Sequence, residues 1–390
     1  MDKDFIYFDH ASTSPLSKNV LDTIINYNEK YWGNVSSTYQ FGIDCAQELE
    51  RLRTKIANLF NAKTEDIIFT SGASESISLV FNKISDKFLP GNITISAVEH
   101  KASLIASNRL KKVGWSIKEW PVDNEGIIKI SEADRYINNN IKLVSIIWGQ
   151  SEIGSIQPVQ HIGKKCIDKE VLFHIDGTQI ISNGIFNWNN LNCDLLSLSA
   201  HKFGGPKGIG ILLTNNRSRK ILSNPDISES HEYSIRAGTQ PLPLISGLHK
   251  ALENVKGRII LSDKDLYFQN KEFNLLSNYL IKRFSSNDKI QITGSINNRL
   301  PNHLSFILFN KDFIPIKAYK IINYMSDNNI AISSGSACSS NANQPSNILK
   351  KINLENNKLF SNIRLSFSIE NNFNQLDRFY DLLLECIKIF

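Results

Sequence analysis

A lysine closes one short apolar run of this chain, and an acid closes another. In Ser199-Ala200-His201-Lys202-Phe203-Gly204-Gly205-Pro206-Lys207-Gly208, a buried-strand pattern ends in a polar cluster that holds Lys202 and leads into a glycine-rich turn. In an α/β sheet, ligands sit at the carboxyl ends of the strands. A lysine placed there, desolvated and close to other cations, has a lowered pKa and suits Schiff-base chemistry. His174-Ile175-Asp176-Gly177-Thr178-Gln179 ends a second run in an acid, 26 residues before Lys202. A buried carboxylate needs a cationic partner, and the protonated ring nitrogen of a pyridoxal group is one. Thr70-Ser71-Gly72-Ala73-Ser74-Glu75 joins a strand pattern to a helix pattern through glycine. Such a junction offers backbone N–H groups and hydroxyls to an anion. Taken singly, each has a plainer reading: a surface lysine in a turn, a helix-capping aspartate, and a junction found in any α/β protein.

The elements that would position these residues follow from hydrophobic periodicity. Ile43, Ala46, Leu49, Leu52, Ile56 and Leu59 recur at helical spacing. Short apolar runs at Ile67–Thr70, Ile93–Ser96, Leu143–Ile147, Leu172–Asp176, Leu195–Ser199 and Ile209–Leu213 read as buried strands. Strand and helix in alternation predict an α/β fold with a mostly parallel sheet flanked by helices. Beyond Pro243 a helical pattern, with room for a break, runs to about Phe284 and reads as a connector. The last third reads as a smaller α+β unit, with helices at 314–326 and 375–389 and strands at 303–309 and 363–367. The extended segment Phe5–Phe8 fits either unit. The expected division is a large unit over residues 15–260, and a small one made of 1–14 and 261–390.

Composition excludes several classes. With 390 residues, 41% hydrophobic and 21% charged, the chain can bury a full core. Its net charge of +6 is scattered, with no run of like charges, so direct nucleic-acid binding is not expected. No apolar stretch is long enough to span a bilayer, and Met1–Asp9 lacks the pattern of a secretory signal. Five cysteines, an odd number without metal-like spacing, fit a reduced cytoplasmic compartment and no metal site. Cys45, Cys166, Cys193 and Cys386 lie in helix or strand patterns and read as small core residues. Cys338 is different, because its neighbours are serine, glycine and alanine.

Together these features resemble the class V aminotransferases, a family of fold-type I pyridoxal-phosphate enzymes. Ile332-Ser333-Ser334-Gly335-Ser336-Ala337-Cys338-Ser339-Ser340 resembles the catalytic loop of its cysteine desulfurase branch, the NifS/IscS type. The resemblance spans nearly the whole chain. It runs from Tyr7-Phe8-Asp9 and Ser12-Thr13-Ser14-Pro15 through Gly33–Ser37, Phe69–Glu75, Glu99-His100-Lys101, Glu152-Ile153-Gly154 and Gln157-Pro158. It continues at Asp176–Gln179, Ser199–Gly210, Arg236-Ala237-Gly238-Thr239 and Ser333–Ser340, and ends at Ile363-Arg364-Leu365-Ser366.

The resemblance implies roles. Lys202 would carry pyridoxal 5'-phosphate covalently, Asp176 would pair with the ring nitrogen, and His100 would stack on the ring and move protons. Gln179 would bond the ring's phenolate oxygen. Ala73, Ser74, Ser199 and His201 would hold the phosphate, with Thr239 reaching in from the other subunit of a homodimer. Arg364, assisted by Asn34, would clamp the carboxylate of L-cysteine. Cys338 would take the sulfur as a persulfide, leave alanine, and pass sulfur to an acceptor or scaffold protein, for iron–sulfur cluster assembly or thiolation.

The chain departs from the family pattern at four places. Gln150-Ser151 stands where the family has Asn-Asn, which leaves Ser151 a shorter reach to the cofactor ring. Ser74 replaces a threonine. Ser228-Glu229-Ser230-His231-Glu232 stands where Gly-Gly precedes the acid, and Ser368-Ile369 replaces Gly-Arg. A different class V reaction (transamination, epimerisation or selenocysteine lysis) needs the same lysine and acid without Cys338. A cofactor-bound protein without turnover is the remaining alternative.

Overall fold

Apolar runs that do not alternate with polar residues must be covered on both faces, and helices supply that cover here. The computed structural model describes residues 4–223, 231–256, 259–261, 267–269, 271–335 and 345–390. Seven strands form the main sheet in the edge-to-edge order Ile67–Thr70, Gly210–Thr214, Leu195–Ser199, Leu172–Asp176, Ile141–Ile147, Asn92–Ser96 and Ser116–Trp120. Gly210–Thr214 runs antiparallel to both of its neighbours, and the other pairings are parallel.

Successive strand residues face opposite sides of a sheet. Leu143, Leu172, Leu195 and Leu212 pack on one side with Ile77, Val80 and Phe81 of helix Ala73–Lys87 and Ala106 of helix Lys101–Lys111. Val144, Phe173, Leu196 and Leu213 pack on the other side with Leu49, Leu52 and Ile56 of helix Gln40–Leu59, Ile162 of helix Val159–Asp168 and Leu248 of helix Leu242–Val255. Each fully buried Leu, Ile, Val or Phe among them contributes about 1.5–3 kcal/mol.

A second core joins the N-terminus to the last third of the chain. Ile6–Tyr7 pairs in parallel with Ile330–Ala331, so Phe5–Phe8 belongs with the C-terminal elements. Ile6 and Phe8 pack with Phe306, Leu365, Phe367 and Phe379. The three-stranded antiparallel sheet of this part is Ile290–Ile292, His303–Leu308 and Asn362–Ser366.

Two expectations need correction. The helical pattern from Pro243 to Phe284 is two helices, Leu242–Val255 and Lys271–Ser285, separated by the antiparallel strands Ile259–Leu261 and Tyr267–Gln269. The first of these strands pairs with Ile185–Phe186, so tertiary pairing overrides a weak helical period. The helix expected from 314 begins only at Ala318. Pro315 disfavours helical geometry just before it and instead bridges to Phe309.

Candidate active site

Strand ends and one helix start build the site. Leu172–Asp176 ends in Asp176, which is 3% exposed. Its Oδ1 accepts from the Thr178 N–H at 3.0 Å and from the Thr178 hydroxyl, and this fixes the carboxylate. Leu195–Ser199 runs into the single turn Ala200–Lys202, closed by Phe203 N and Gly205 N donating to the Ala200 carbonyl at 3.1 and 2.9 Å. That turn delivers Lys202, whose Nζ donates to the carbonyls of Ala11 and Ser12, both at 2.8 Å. Ile67–Thr70 passes through Ser71-Gly72 into helix Ala73–Lys87. Gly72 has φ +150, and the backbone of Gly210 approaches so closely that a Cβ there would lie 2.6 Å from the Gly72 Cα.

These ends face one cavity of about 730 Å³. Ala73, Ser74, His100, Ser151, Asp176, Gln179, Ser199, His201, Lys202 and Arg364 all line it, so ten of the residues singled out in the sequence meet there. Asn34 and Thr239 do not line it; both are exposed, and Asn34 Oδ1 accepts from Ser36 N at 2.9 Å. Cys338 lies outside the described residues, as do the rest of 336–344 and the departure at Ser228–Ser230. Gly335, Pro345 and Ser346, which flank the segment carrying Cys338, line the cavity.

Electrostatics distinguish the side chains. His100 caps helix Lys101–Lys111, its Nδ1 accepting from Ala102 N at 3.2 Å. Burial, with Lys202 and Lys207 nearby, pushes the His201 pKa down to about 4, so this ring is neutral at pH 7. Its Nδ1 lies 3.2 Å from Thr13 Oγ1. Gln179 Nε2 donates to the Ala11 carbonyl at 3.0 Å, the same oxygen that Lys202 uses. Arg364, 3% exposed, donates from Nη2 to Asp9 Oδ1 and Ser12 Oγ, both at 2.6 Å, and from Nη1 to the Ser151 carbonyl at 3.1 Å. Beneath the cavity, His174 bridges Ser145 and Ser197 across three strands at 2.8 Å each, and burial holds its pKa down at about 4.

Sequence reasoning quoted two further acids only as parts of motifs. Glu152, between Ser151 and Ile153, accepts from the Ser346 hydroxyl at 2.5 Å, and burial raises its pKa. Glu99 is 2% exposed, and its Oε1 accepts from Ser96 Oγ and Ile147 N at 2.7 Å each. Burial above all, with the charge of Asp176 adding to it, raises the Glu99 pKa to about 7. The signal for Glu99 was an acid between a strand end and His100, at a position too deep for a solvated charge.

A raised carboxyl pKa favours folding at low pH. Its contribution is fully present below the unfolded value near 4.5 and is lost as pH rises through about 7. Glu99 by itself therefore subtracts roughly 3 kcal/mol between pH 5 and 8, against the opposite trend of His174 and His201, whose lowered pKa values add stability as pH rises from about 4 to the usual imidazole value. Glu99→Gln keeps an acceptor for both donors and should remove that component, so that the variant gains stability relative to the parent as pH rises from 5 to 8. A variant with an unchanged melting profile over this range would remove Glu99 as the titrating group.

The four remaining cysteines, Cys45, Cys166, Cys193 and Cys386, are all buried. Burial raises the thiol pKa of Cys166 and Cys193, and that of Cys386 to about 12, so these three are not sources of thiolate at neutral pH.

The cavity's donor set fits pyridoxal 5'-phosphate. Around Gly72–Ser74 a helix start, the Ser199 hydroxyl and a neutral imidazole offer hydrogen bonds to a phosphate. Asp176 is buried in the same wall, and no cationic side chain pairs with it among the described ion pairs. A ring nitrogen that carries a proton supplies the missing charge, and Lys202 supplies the amine.

Comparison with known proteins agrees with this chemistry. The family described as Aminotransferase class-V matches residues 6–379. "Cysteine desulfurase IscS" of Dictyoglomus turgidum is 32% identical, over 98% of this chain and 94% of its own length. The chain belongs to the cysteine desulfurase branch of the class V aminotransferases. Among solved structures, a "NIFS-LIKE PROTEIN" superposes with a TM-score of 0.86 at 27% identity, covering 99% of this chain and 100% of its own. A structure titled "SspA in complex with cysteine" superposes with a TM-score of 0.77 at 26% identity, covering 94% and 100%. Enzymes of this branch depend on pyridoxal phosphate, the group for which the cavity's donors are suited.

Proposed function

We propose that this protein is a cysteine desulfurase that converts L-cysteine to L-alanine and leaves the sulfur as a persulfide on Cys338. The observation that carries the reading is the near full-length likeness to curated cysteine desulfurases in a chain whose Lys202, Asp176 and Arg364 line one cavity.

Bound pyridoxal phosphate supplies an electron sink for the α-carbon of an amino acid. Asp176 and His100 line the same cavity, where Asp176 would keep a proton on the ring nitrogen and His100 would cover the ring. Arg364 orients the substrate through its carboxylate, and its guanidinium is held for that task by Asp9, Ser12 and the Ser151 carbonyl. Lys202 would hold the group through Nζ, and the same amine would serve as the base for the α-proton. The thiolate of Cys338 attacks the substrate sulfur. The S–S bond forms as the C–S bond breaks, the bonding pair stays with carbon, and a proton completes alanine, so no outside oxidant is required.

The protein acts as a homodimer in this reading. Thr239 is exposed and away from its own chain's cavity, which suits a residue that serves the partner's phosphate. Leu16, Leu21, Ile25, Trp32, Tyr39 and Ile43 are exposed apolar residues within the first 43 positions, as an uncovered interface would be. Asn34, exposed among them, does not line its own chain's cavity, where Arg364 stands. The division into 15–260 and 1–14 with 261–390 is supported by the core that joins Ile6 and Phe8 to residues 273–386, while Leu300, Ile348, Leu349, Ile352 and Leu359 of the smaller unit pack into the core of the larger one. A sulfur-acceptor or scaffold protein receives the persulfide, in a reducing compartment such as the cytoplasm. Among the described residues no helix is long and apolar enough to cross a membrane.

The test is product analysis with the loaded enzyme, L-cysteine and a reducing thiol. Equal amounts of alanine and sulfide are expected. Pyruvate, cysteine racemisation, or turnover of selenocysteine alone would assign the chain to another class V reaction.

A further inference from the structure

The carbonyl of Ser151 receives two donors. Arg364 Nη1 stands 3.1 Å from it, and His303 Nε2 stands 3.0 Å from it. We infer that His303 is a positioning residue for Arg364: by holding the Ser151 carbonyl, it sets the angle at which the guanidinium meets a substrate carboxylate. The inference rests on the reading that Arg364 binds that carboxylate.

His303 is 1% exposed and begins the strand His303–Leu308, whose Ser305 pairs with Arg364 on the neighbouring strand. A carbonyl oxygen only accepts, so Nε2 carries the hydrogen and Nδ1 is left as an acceptor. Burial comes first, and the cations Arg299 and Arg364 add to it, holding the His303 pKa well below the usual imidazole value. These surroundings favour the neutral ring, which donates through Nε2.

The far side of the ring is held by packing and not by hydrogen bonds. His303 Nδ1 and Arg299 Nη1 are both buried without a hydrogen-bond partner among the described residues. They converge on the bare Cα of Gly154, where a Cβ would lie 2.5 Å from Nδ1 and 2.8 Å from Nη1. Gly154 also holds φ +77, which favours glycine. Arg299 is anchored in turn, from Nε to the Ser295 carbonyl at 2.8 Å and from Nη2 to the Thr293 carbonyl. Hydrogen bonds thus join His303 to the Ser151 carbonyl and that carbonyl to Arg364, with the anchored Arg299 beside the ring at Gly154. This link uses the backbone of Ser151, so the serine at this departure from the family pattern makes the contact as well as an asparagine would.

The test uses the cofactor-loaded enzyme with His303→Met, which fills the space without a donor, and His303→Gln, which keeps one. His303→Phe takes the place of the Met variant if that variant does not fold. The Met variant is expected to raise KM for L-cysteine about tenfold with kcat little changed, the signature of lost ground-state binding. The Kd for L-alanine, read from the cofactor's absorbance, should rise in parallel, and the Gln variant should recover most of both. Equal behaviour of the two variants, or a loss confined to kcat, would overturn the inference. Arg364→Lys is the control. If it leaves KM unchanged, the role of Arg364 itself fails; if it raises KM while His303→Met does not, only the role of His303 fails.

Discussion

Lys202→Ala is expected to abolish borohydride-reducible attachment of the cofactor to the chain and to lower cysteine turnover by about 10³-fold or more. The physical ground is position. Lys202 sits on a closed turn at the end of a buried strand, its amine held 2.8 Å from two carbonyls in the wall of the cavity. Lys101 and Lys207 also line the cavity, but neither stands on the strand-end turn Ala200–Lys202. The variant should still take up some cofactor, because the groups around Gly72–Ser74 and Asp176 are untouched. A reducible adduct on another lysine, or turnover within tenfold of the parent, would contradict the assignment.

Cys338→Ser should separate cofactor chemistry from sulfur transfer. The variant is expected to bind pyridoxal phosphate and L-cysteine as the parent does, since Lys202, Asp176 and Arg364 are unchanged. Alanine release should fall at least 10²-fold, because a hydroxyl is far weaker than a thiolate as a nucleophile toward sulfur. Replacing Cys45, Cys166, Cys193 or Cys386 with alanine should leave most turnover intact, since all four are buried. Unchanged alanine release by the serine variant would place this chain among class V enzymes that do not use a cysteine.

The strand ends were the legible part of the sequence. Asp176 ends the strand Leu172–Asp176 and Lys202 follows the strand Leu195–Ser199 by one turn, and the alternation of such short runs with helical patterns placed both the sheet and its ligand-bearing edge. The stretch Ile259–Gln269 was misread because two three-residue strands give no period of their own, and their pairing with Ile185–Phe186 is a tertiary fact. The supports of Arg364 were hidden for a related reason. Asp9 and Ser12 are more than 350 positions away, and His303 acts through a backbone carbonyl that no side-chain motif encodes. Asn34 and Thr239 show the opposite case, since the motifs name them but a single chain leaves both on its surface.

The central claim is that sulfur leaves L-cysteine for Cys338. The most direct measurement is incubation of the loaded enzyme with sulfur-labelled L-cysteine, alkylation without reductant, and mass analysis of the peptides. One labelled sulfur on the peptide containing Cys338, matched by an equal amount of alanine, is the predicted result. Label on Cys45, Cys166, Cys193 or Cys386, or alanine formed with no label on Cys338, would contradict it.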